Sequence, residues 1–235
     1  MIIDVELYLN AKSSNAKQLV AIEKEAGIDL AVLMPEPTIH PDNASMFTGV
    51  KDLKMFLPCC CVNPNFGKEA VDEFETSVKE WGFRGLKLMP PKHGYRIVDQ
   101  SIYPLLEKAR DLRVPVSVHS SQEQCHPCDI GFMALEFPEV TFIMDHMGYR
   151  YFARQAILAA KHAPNLFLAT TAVPEPEFIK NAVKVLGAER VLFGSNGPGM
   201  PPDIQIEVIR RAKIGPEAEA LVLGGNAARL YGLEL

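Results

Sequence analysis

Six polar or ionisable side chains lie at the ends of short apolar runs, where their types suggest chemistry. They are Glu6, Tyr8, Lys87, His119, His146 and Asn196. Carboxylates and neutral imidazoles are common ligands of Zn²⁺, and imidazoles also transfer protons near neutral pH. A lysine that faces a pocket would bind a substrate carboxylate. These groups could form one site if the elements that carry them bring them together.

The apolar runs have the length and composition of buried parallel strands. There are eight, and they cover residues 1–9, 29–35, 53–64, 83–90, 114–120, 140–146, 166–172 and 190–196. They alternate with amphipathic segments at a repeat of about 29 residues, which is typical of a (β/α)8 TIM barrel. A doubly wound sheet usually has fewer strands and often a glycine-rich first turn, and no such turn occurs here. The sequence therefore predicts one α/β domain, a TIM barrel over residues 1–235.

A barrel would gather these side chains at one mouth. In this fold the chemistry lies at the C-terminal ends of the strands, while the strand bodies fill the core. Glu6 and Tyr8 are two residues apart, so they share a face of the first strand. His93 follows the fourth run in the segment PPKHGYR and is predicted to lie at the edge of the mouth.

Composition and charge restrict the expected partners. The chain has 24 Lys and Arg residues against 29 Asp and Glu, a net charge of −5 and no basic run, so nucleic acid is not expected. No apolar stretch reaches the roughly 18 residues of a membrane-spanning helix, and no secretory signal is visible. Five cysteines, three of them consecutive, are typical of a reducing compartment. These features predict a cytoplasmic protein that acts on a small molecule.

Two further segments lead to weaker expectations. Cys125 and Cys128 form the single Cys-x-x-Cys pair, and without a second pair they are predicted to be loop cysteines near the pocket rather than a zinc or redox site. Tyr149, Tyr151 and Phe152 follow the sixth run, and exposed aromatic residues there would favour a homo-oligomer, most simply a dimer.

Six motifs, in order and spacing, resemble the amidohydrolase superfamily, in its amidohydrolase-related (family 2) branch of metal-dependent hydrolases and decarboxylases. The motifs are MIIDVELYL, GFRGLKLMP, VPVSVHS, FPEVTFIMDHMG, RVLFGSNGP and LVLGGNAARLYGL. The resemblance covers nearly the whole chain and implies a TIM barrel with a divalent metal, most simply Zn²⁺.

The same resemblance assigns roles to individual residues. It implies that Glu6 and His119 bind the metal and that His146 and Asn196 are catalytic, with His146 as a base or substrate polariser or as a third metal ligand. From their places at the mouth, we predict substrate contacts for Lys87, Tyr8 and His93. Three positions depart from the family pattern. Tyr8 replaces the second histidine of the first strand, Met89 replaces the histidine of the fourth-strand motif, and Asn196 replaces the aspartate of the eighth. A neutral amide is a poorer zinc ligand than a carboxylate, so weak or partial metal occupancy is expected.

The predicted activity is hydrolysis of an amide, ester or lactone bond in a small carboxylated molecule by a metal-activated water. Three alternatives remain open. The first is non-oxidative decarboxylation, suggested by Glu6 at the place of the family's first histidine. The second is a site of the same fold that works without metal. The third is a catalytically degenerate barrel that only binds.

Overall fold

The strands of the protein are short and parallel. The structure, a computed structural model, describes residues 1–9 and 15–233. Within these ranges the strands are β1 (Ile3–Leu9), β2 (Leu30–Pro35), β3 (Phe56–Pro58), β4 (Cys60–Cys61), β5 (Leu86–Leu88), β6 (Val116–His119), β7 (Phe142–Asp145), β8 (Leu166–Ala169) and β9 (Val191–Leu192). They pair in parallel in the orders β1-β2-β3 and β4-β5-β6-β7-β8-β9.

The third strand of the barrel is divided into β3 and β4. Its backbone still pairs through the interruption, because the Cys59 N–H donates to Leu33 O on β2 at 2.8 Å. The buried Asn43 side chain bonds both backbone groups of Cys61, accepting from its N–H at 3.0 Å and donating to its carbonyl at 2.8 Å. Nine segments therefore form eight strands.

The last strand meets the first and closes the ring. The Val5 N–H donates to Phe193 O at 3.0 Å. The buried Asp4 carboxylate reinforces this seam, since it accepts from the Ser195 N–H at 2.9 Å and from the Ser195 hydroxyl. The (β/α)8 barrel predicted from the sequence is confirmed.

The helices surround the barrel or close its end. They are α1 (Ala16–Glu25), α2 (Asn43–Val50), α3 (Lys68–Lys79), α4 (Pro90–His93), α5 (Tyr103–Leu112), α6 (Pro127–Glu136), α7 (Tyr149–His162), α8 (Pro176–Leu186), α9 (Pro202–Arg211), α10 (Pro216–Ala220) and α11 (Asn226–Leu230). A π-helical segment, Leu221–Gly225, joins α10 to α11. None of the described helices combines the length and apolar character needed to cross a bilayer.

Helix α6 corrects the sequence-based view of the Cys-x-x-Cys segment. The helix begins at Pro127, and the His126 side chain caps it by accepting from the Cys128 N–H through Nδ1 at 3.2 Å. Cys128 is therefore a helical residue, although Cys125 remains in the loop before the helix. The periodicity of this segment is hidden because its mean hydropathy is high and a glycine lies within it.

The hydrophobic core has two parts. The larger one lies between the strands and the helices and includes Leu19 and Phe74. The smaller one fills the inside of the barrel with residues such as Val32 and Ile143, and Tyr231 after α11 packs against it. Near the C-terminal ends of the strands the interior becomes polar, and this region carries the candidate site.

Candidate functional site

A buried lysine occupies the polar part of the barrel interior. Lys87 lies on β5, and none of its side chain is exposed. Its Nζ donates to Glu6 Oε1 at 2.6 Å, to Ser117 Oγ at 3.3 Å and to Asp145 Oδ2. Burial alone would lower the pKa of Lys87, but the charges of Asp145 and Glu6 raise it well above its usual value. The lysine is therefore a permanent buried cation.

A bulge in β1 directs Glu6 toward this lysine. Residues 5 and 6 of β1 together oppose Val32 of β2, because the register shifts between Asp4 and Leu7. A bulge of this kind lets neighbouring residues face the same side of a sheet. Burial would raise the pKa of Glu6, yet the Lys87 ammonium holds it at about 2, so Glu6 is ionised. As predicted, Glu6 and Tyr8 share a face, and the Tyr8 hydroxyl donates to Glu6 Oε1 at 2.6 Å.

Asp145, at the end of β7, is the second carboxylate of this cluster. It accepts from Ser117 Oγ at 2.6 Å as well as from Lys87. Burial and the adjacent Glu6 charge nevertheless raise the pKa of Asp145 to about 7. One ammonium thus contacts two carboxylates, and the pKa of Glu6 is held low whereas that of Asp145 is raised.

Lys87 and His93 are both enclosed by the protein. Lys87 is buried beneath the mouth, and both its carboxylate partners belong to the protein. His93 is also buried, and its Nε2 donates to the Thr38 carbonyl at 2.8 Å. Burial lowers the pKa of His93, which agrees with a neutral ring held in the protein interior. Both side chains are thus held by partners within the protein, and their contact with substrate stays a prediction.

Two histidines form a hydrogen-bonded chain whose proton positions follow from geometry. His146 Nδ1 lies 3.0 Å from the Thr171 carbonyl oxygen, which can only accept, so Nδ1 carries the proton. In the neutral ring Nε2 then accepts, and its partner at 2.9 Å, His119 Nδ1, must donate. Burial lowers the pKa of both rings, that of His119 to about 3, so both are neutral. The lone pair of His119 is therefore on Nε2.

The turn after β7 holds His146 in a strained backbone. His146, Met147 and Tyr149 have φ angles of 65°, 48° and 51°, in the left-handed region that non-glycine residues avoid. Each such residue costs on the order of 1–3 kcal/mol, and such strain is concentrated at functional sites. The Tyr149 ring stacks on the His146 ring at a centroid distance of 4.3 Å. Strain and stacking together fix the orientation of the imidazole.

A pocket of about 400 Å³ opens at the ends of the strands, above the buried cluster. Its described lining residues are Tyr8, Glu36, Pro37, Met89, His119, His146, Tyr149, Asn196, Gly197, Pro198 and Gly199. Asn196 has a φ of 68°, which asparagine tolerates better than most residues. The structure thus brings together four of the predicted residues, namely Tyr8, His119, His146 and Asn196. Their chemical roles stay predictions.

Several residues of the site were not predicted. The sequence marks Asp145 as a polar residue at the end of the sixth run, directly before His146, but its pairing with Lys87 was not predicted. Glu36 and Tyr149 line the pocket from loop and helix positions that carry no periodic signal. Thr171 contributes its backbone carbonyl, which any residue type could supply.

The donor set around the cluster does not fit a divalent metal in this arrangement. Glu6 Oε1 already accepts from Lys87 and Tyr8, and the two histidines bond to each other rather than pointing at a shared centre. Within residues 1–9 and 15–233, no three His, Cys, Asp or Glu side chains are grouped so that they could hold one ion. The predicted ligands Glu6 and His119 therefore lack a third partner, and no chemical step is derived through a metal.

Several solved structures have a fold similar to that of this chain. Among solved structures, an uncharacterised TIM-barrel protein from Bordetella bronchiseptica is similar at a TM-score of 0.83 and 20% identity, covering 98% of both chains. A dihydroxybenzoic acid decarboxylase from Polaromonas, described with bound manganese, has a TM-score of 0.75 and 16% identity over 98% of this chain and 96% of its own. A putative 2-pyrone-4,6-dicarboxylic acid hydrolase from Pseudomonas putida has a TM-score of 0.76 and 16% identity over 100% and 98%.

At these identities the similarity establishes the fold alone. Among curated proteins no sequence match was found. The sequence profile of the amidohydrolase family matches residues 20–233, which is most of the chain and includes the two histidines and Lys87. The chain belongs to the amidohydrolase family, in its second, amidohydrolase-related group.

Proposed function

We propose that the protein hydrolyses the ester or lactone bond of a small uncharged molecule, with water activated by His119. The observation that carries this proposal is the chain from His119 through His146 to the Thr171 carbonyl. It leaves Nε2 of His119 as a basic atom without a partner among the described residues, on a ring that lines the pocket. A neutral imidazole in this position is a general base.

The reaction needs one proton to move twice. Water attacks the carbonyl carbon and gives a proton to His119 Nε2, which forms a tetrahedral intermediate with a negatively charged oxygen. The intermediate then collapses, the bond to the leaving oxygen breaks, and that oxygen takes the proton from Nε2. The products are an acid and an alcohol, or one hydroxy acid if the substrate is a lactone. His146 orients His119 and shares its transient positive charge, which ionised Glu6 stabilises.

Asn196 is the candidate donor to the developing oxyanion. It lines the same pocket as His119, and an amide N–H₂ is a common oxyanion-hole donor. The amide donor suits this role better than the metal-ligand role that its place in the motif implies, because it is neutral and carries two protons. Esters and lactones are favoured over amides because an alkoxide oxygen is a better leaving group than the nitrogen of an amide.

The charged side chains among the described lining residues of the pocket favour an uncharged substrate. Glu36 is the one Asp or Glu among the described lining residues, and no Lys or Arg is among them. The sequence-based expectation of a carboxylated substrate depended on Lys87, which is paired internally with Glu6 and Asp145. A substrate carboxylate would instead face the Glu36 side chain, and no Lys or Arg among the described lining residues would compensate the two negative charges. Such an arrangement is unfavourable because like charges repel.

Non-oxidative decarboxylation is the second candidate, because a structural neighbour is a decarboxylase. It requires a carboxylate in the pocket, so the same charges that favour an uncharged lactone act against it. Release of CO₂ from 2,6-dihydroxybenzoate by the purified protein would favour this candidate over hydrolysis.

The test uses δ-valerolactone and dihydrocoumarin as uncharged probes, with acid release followed in a pH-stat. We expect hydrolysis by the wild-type protein and a loss of about 10²–10⁴-fold in kcat for His119→Ala. The matched control is His162→Ala, which removes an exposed histidine at the end of α7 and should leave the rate unchanged. Equal rates for wild type and His119→Ala, or no hydrolysis of either lactone, would contradict the proposal.

A further inference from the structure

The Lys87 ammonium is surrounded by oxygen atoms. Glu6 Oε1 and Ser117 Oγ lie 2.6 and 3.3 Å from Nζ, and Asp145 Oδ2 is in direct contact with it. Two more carboxylate oxygens, Glu6 Oε2 and Asp145 Oδ1, are buried and have no hydrogen-bond partner among the described residues. A centre enclosed by carboxylate and hydroxyl oxygens is the environment that proteins give to hard divalent cations.

Lys87 supplies the counter-charge of the two buried carboxylates that contact it. Glu6 and Asp145, its two carboxylate partners, are fully buried, on β1 and at the end of β7. Lys87 is the one Lys or Arg that is fully buried in the part of the chain that the structure describes. Without it, the carboxylates would be buried without a counter-charge, which is strongly unfavourable.

We propose that Lys87 supplies to Glu6 and Asp145 the positive charge that a bound divalent ion would otherwise supply. The barrel is then independent of metal, and removing the Lys87 side chain converts its oxygen shell into a metal site. This inference concerns the resting protein and stands whether or not the protein hydrolyses lactones.

The state of the histidine pair agrees with this role. The Lys87 charge acts on both His119 and His146 and disfavours their protonated forms. The hydrogen-bond chain to Thr171 requires the neutral form of both rings. A fixed cation beneath the pocket therefore favours the neutral form of both rings that the chain needs.

The test compares metal binding by wild type and Lys87→Ala. Both proteins are dialysed against a chelator and then titrated with Mn²⁺ and with Zn²⁺ in a calorimeter. We expect Lys87→Ala to bind one ion at least ~100-fold more tightly than wild type and its melting temperature to rise with metal. Mn²⁺ should bind well, because the vacated shell consists of oxygen atoms.

The control is Lys108→Ala. Lys108 also pairs with a carboxylate, Glu75 Oε2 at 2.8 Å, but on the outer surface of the barrel, so its removal should create no metal site. If Lys87→Ala does not fold without metal, the readout is its refolding on addition of Mn²⁺, followed by circular dichroism, which the inference requires.

Two results would overturn the inference. One is a stoichiometric metal ion in the wild-type protein as purified, or tight binding of Mn²⁺ or Zn²⁺ by the wild type. The other is a folded variant without Lys87 that binds neither ion more tightly than the wild type does.

Discussion

Glu23 is a buried acid whose replacement should stabilise the protein, and increasingly so as the pH rises. It lies on α1, its side chain is fully buried, and neither carboxyl oxygen has a hydrogen-bond partner among the described residues. Burial, with a smaller contribution from the nearby Asp4 charge, raises the pKa of Glu23 from 4.5 to about 9. At neutral pH the folded protein therefore keeps Glu23 protonated, whereas the unfolded chain ionises it.

The size of the effect follows from this difference. Between pH 4.5 and 9 the unfolded state binds fewer protons at Glu23 than the folded state, so the free energy of unfolding falls as the pH rises. Each pH unit is worth about 1.4 kcal/mol, which gives ~4 kcal/mol at pH 7.5. Relaxation around a buried charge reduces such penalties, and we expect Glu23→Gln to gain ~2 kcal/mol at pH 7.5. For a chain of this size that is a rise of about 4–8 °C in melting temperature.

The assay is thermal unfolding of wild type and Glu23→Gln at pH 5, 6.5, 8 and 9. The gain should be small at pH 5 and should grow steadily toward pH 9. Glu25→Gln is the matched control, because Glu25 is an exposed residue of the same helix. A gain that does not change with pH, or a loss of stability at pH 8, would refute the argument that Glu23 is a protonated buried acid.

Two other features lead to predictions. A Cβ added to Gly131 on α6 would lie 2.8 Å from the Cβ of Ala159 on α7, so Gly131→Ala should destabilise the protein by about 1–3 kcal/mol in chemical unfolding. The double variant Gly131→Ala/Ala159→Gly should recover the loss, whereas Gly49→Ala, in a helix with open space, should gain up to ~1 kcal/mol. Of the three aromatic residues predicted to favour a homodimer, Tyr149 lines the pocket and Phe152 packs against the His126 ring. Tyr151 is 74% exposed on α7, so this side chain is the one available for the predicted contact between two copies. Light scattering should find a dimer that Tyr151→Arg weakens, and a wild-type monomer at micromolar concentration would contradict this prediction.

The fold was predictable because the strand signal is strong and repeats. Each apolar run contains a strand, although every strand is shorter than its run, since the ends of the runs are loop residues at the two rims of the barrel. The division of the third strand could not be predicted, because the side chain that completes its pairing, Asn43, belongs to a helix 18 residues earlier. Helix α6 was missed because its apolar residues occur on more than one face.

The position of the site was predictable, but its charges were not. Strand ends in a barrel converge, so His119, His146 and Asn196 could be grouped from sequence alone. That Lys87 pairs with Glu6 and Asp145 depends on the bulge in β1 and on contacts between residues more than 50 positions apart. A sequence pattern reveals that a lysine faces inward, but it does not reveal whether the partner of that lysine is a substrate or the protein itself.

The distribution of the cysteines makes the protein suitable for attaching a single reporter group. Cys59, Cys60, Cys61 and Cys125 are buried, and burial raises the pKa of each thiol, that of Cys125 to about 11. Thiols in that state react slowly with maleimides, because the thiolate is the reactive form. Cys128 is exposed in the first turn of α6, directly after the loop that leaves β6. A fluorophore added to the unmodified protein should therefore attach at Cys128, beside the end of the barrel that carries the pocket, without mutation of any other cysteine.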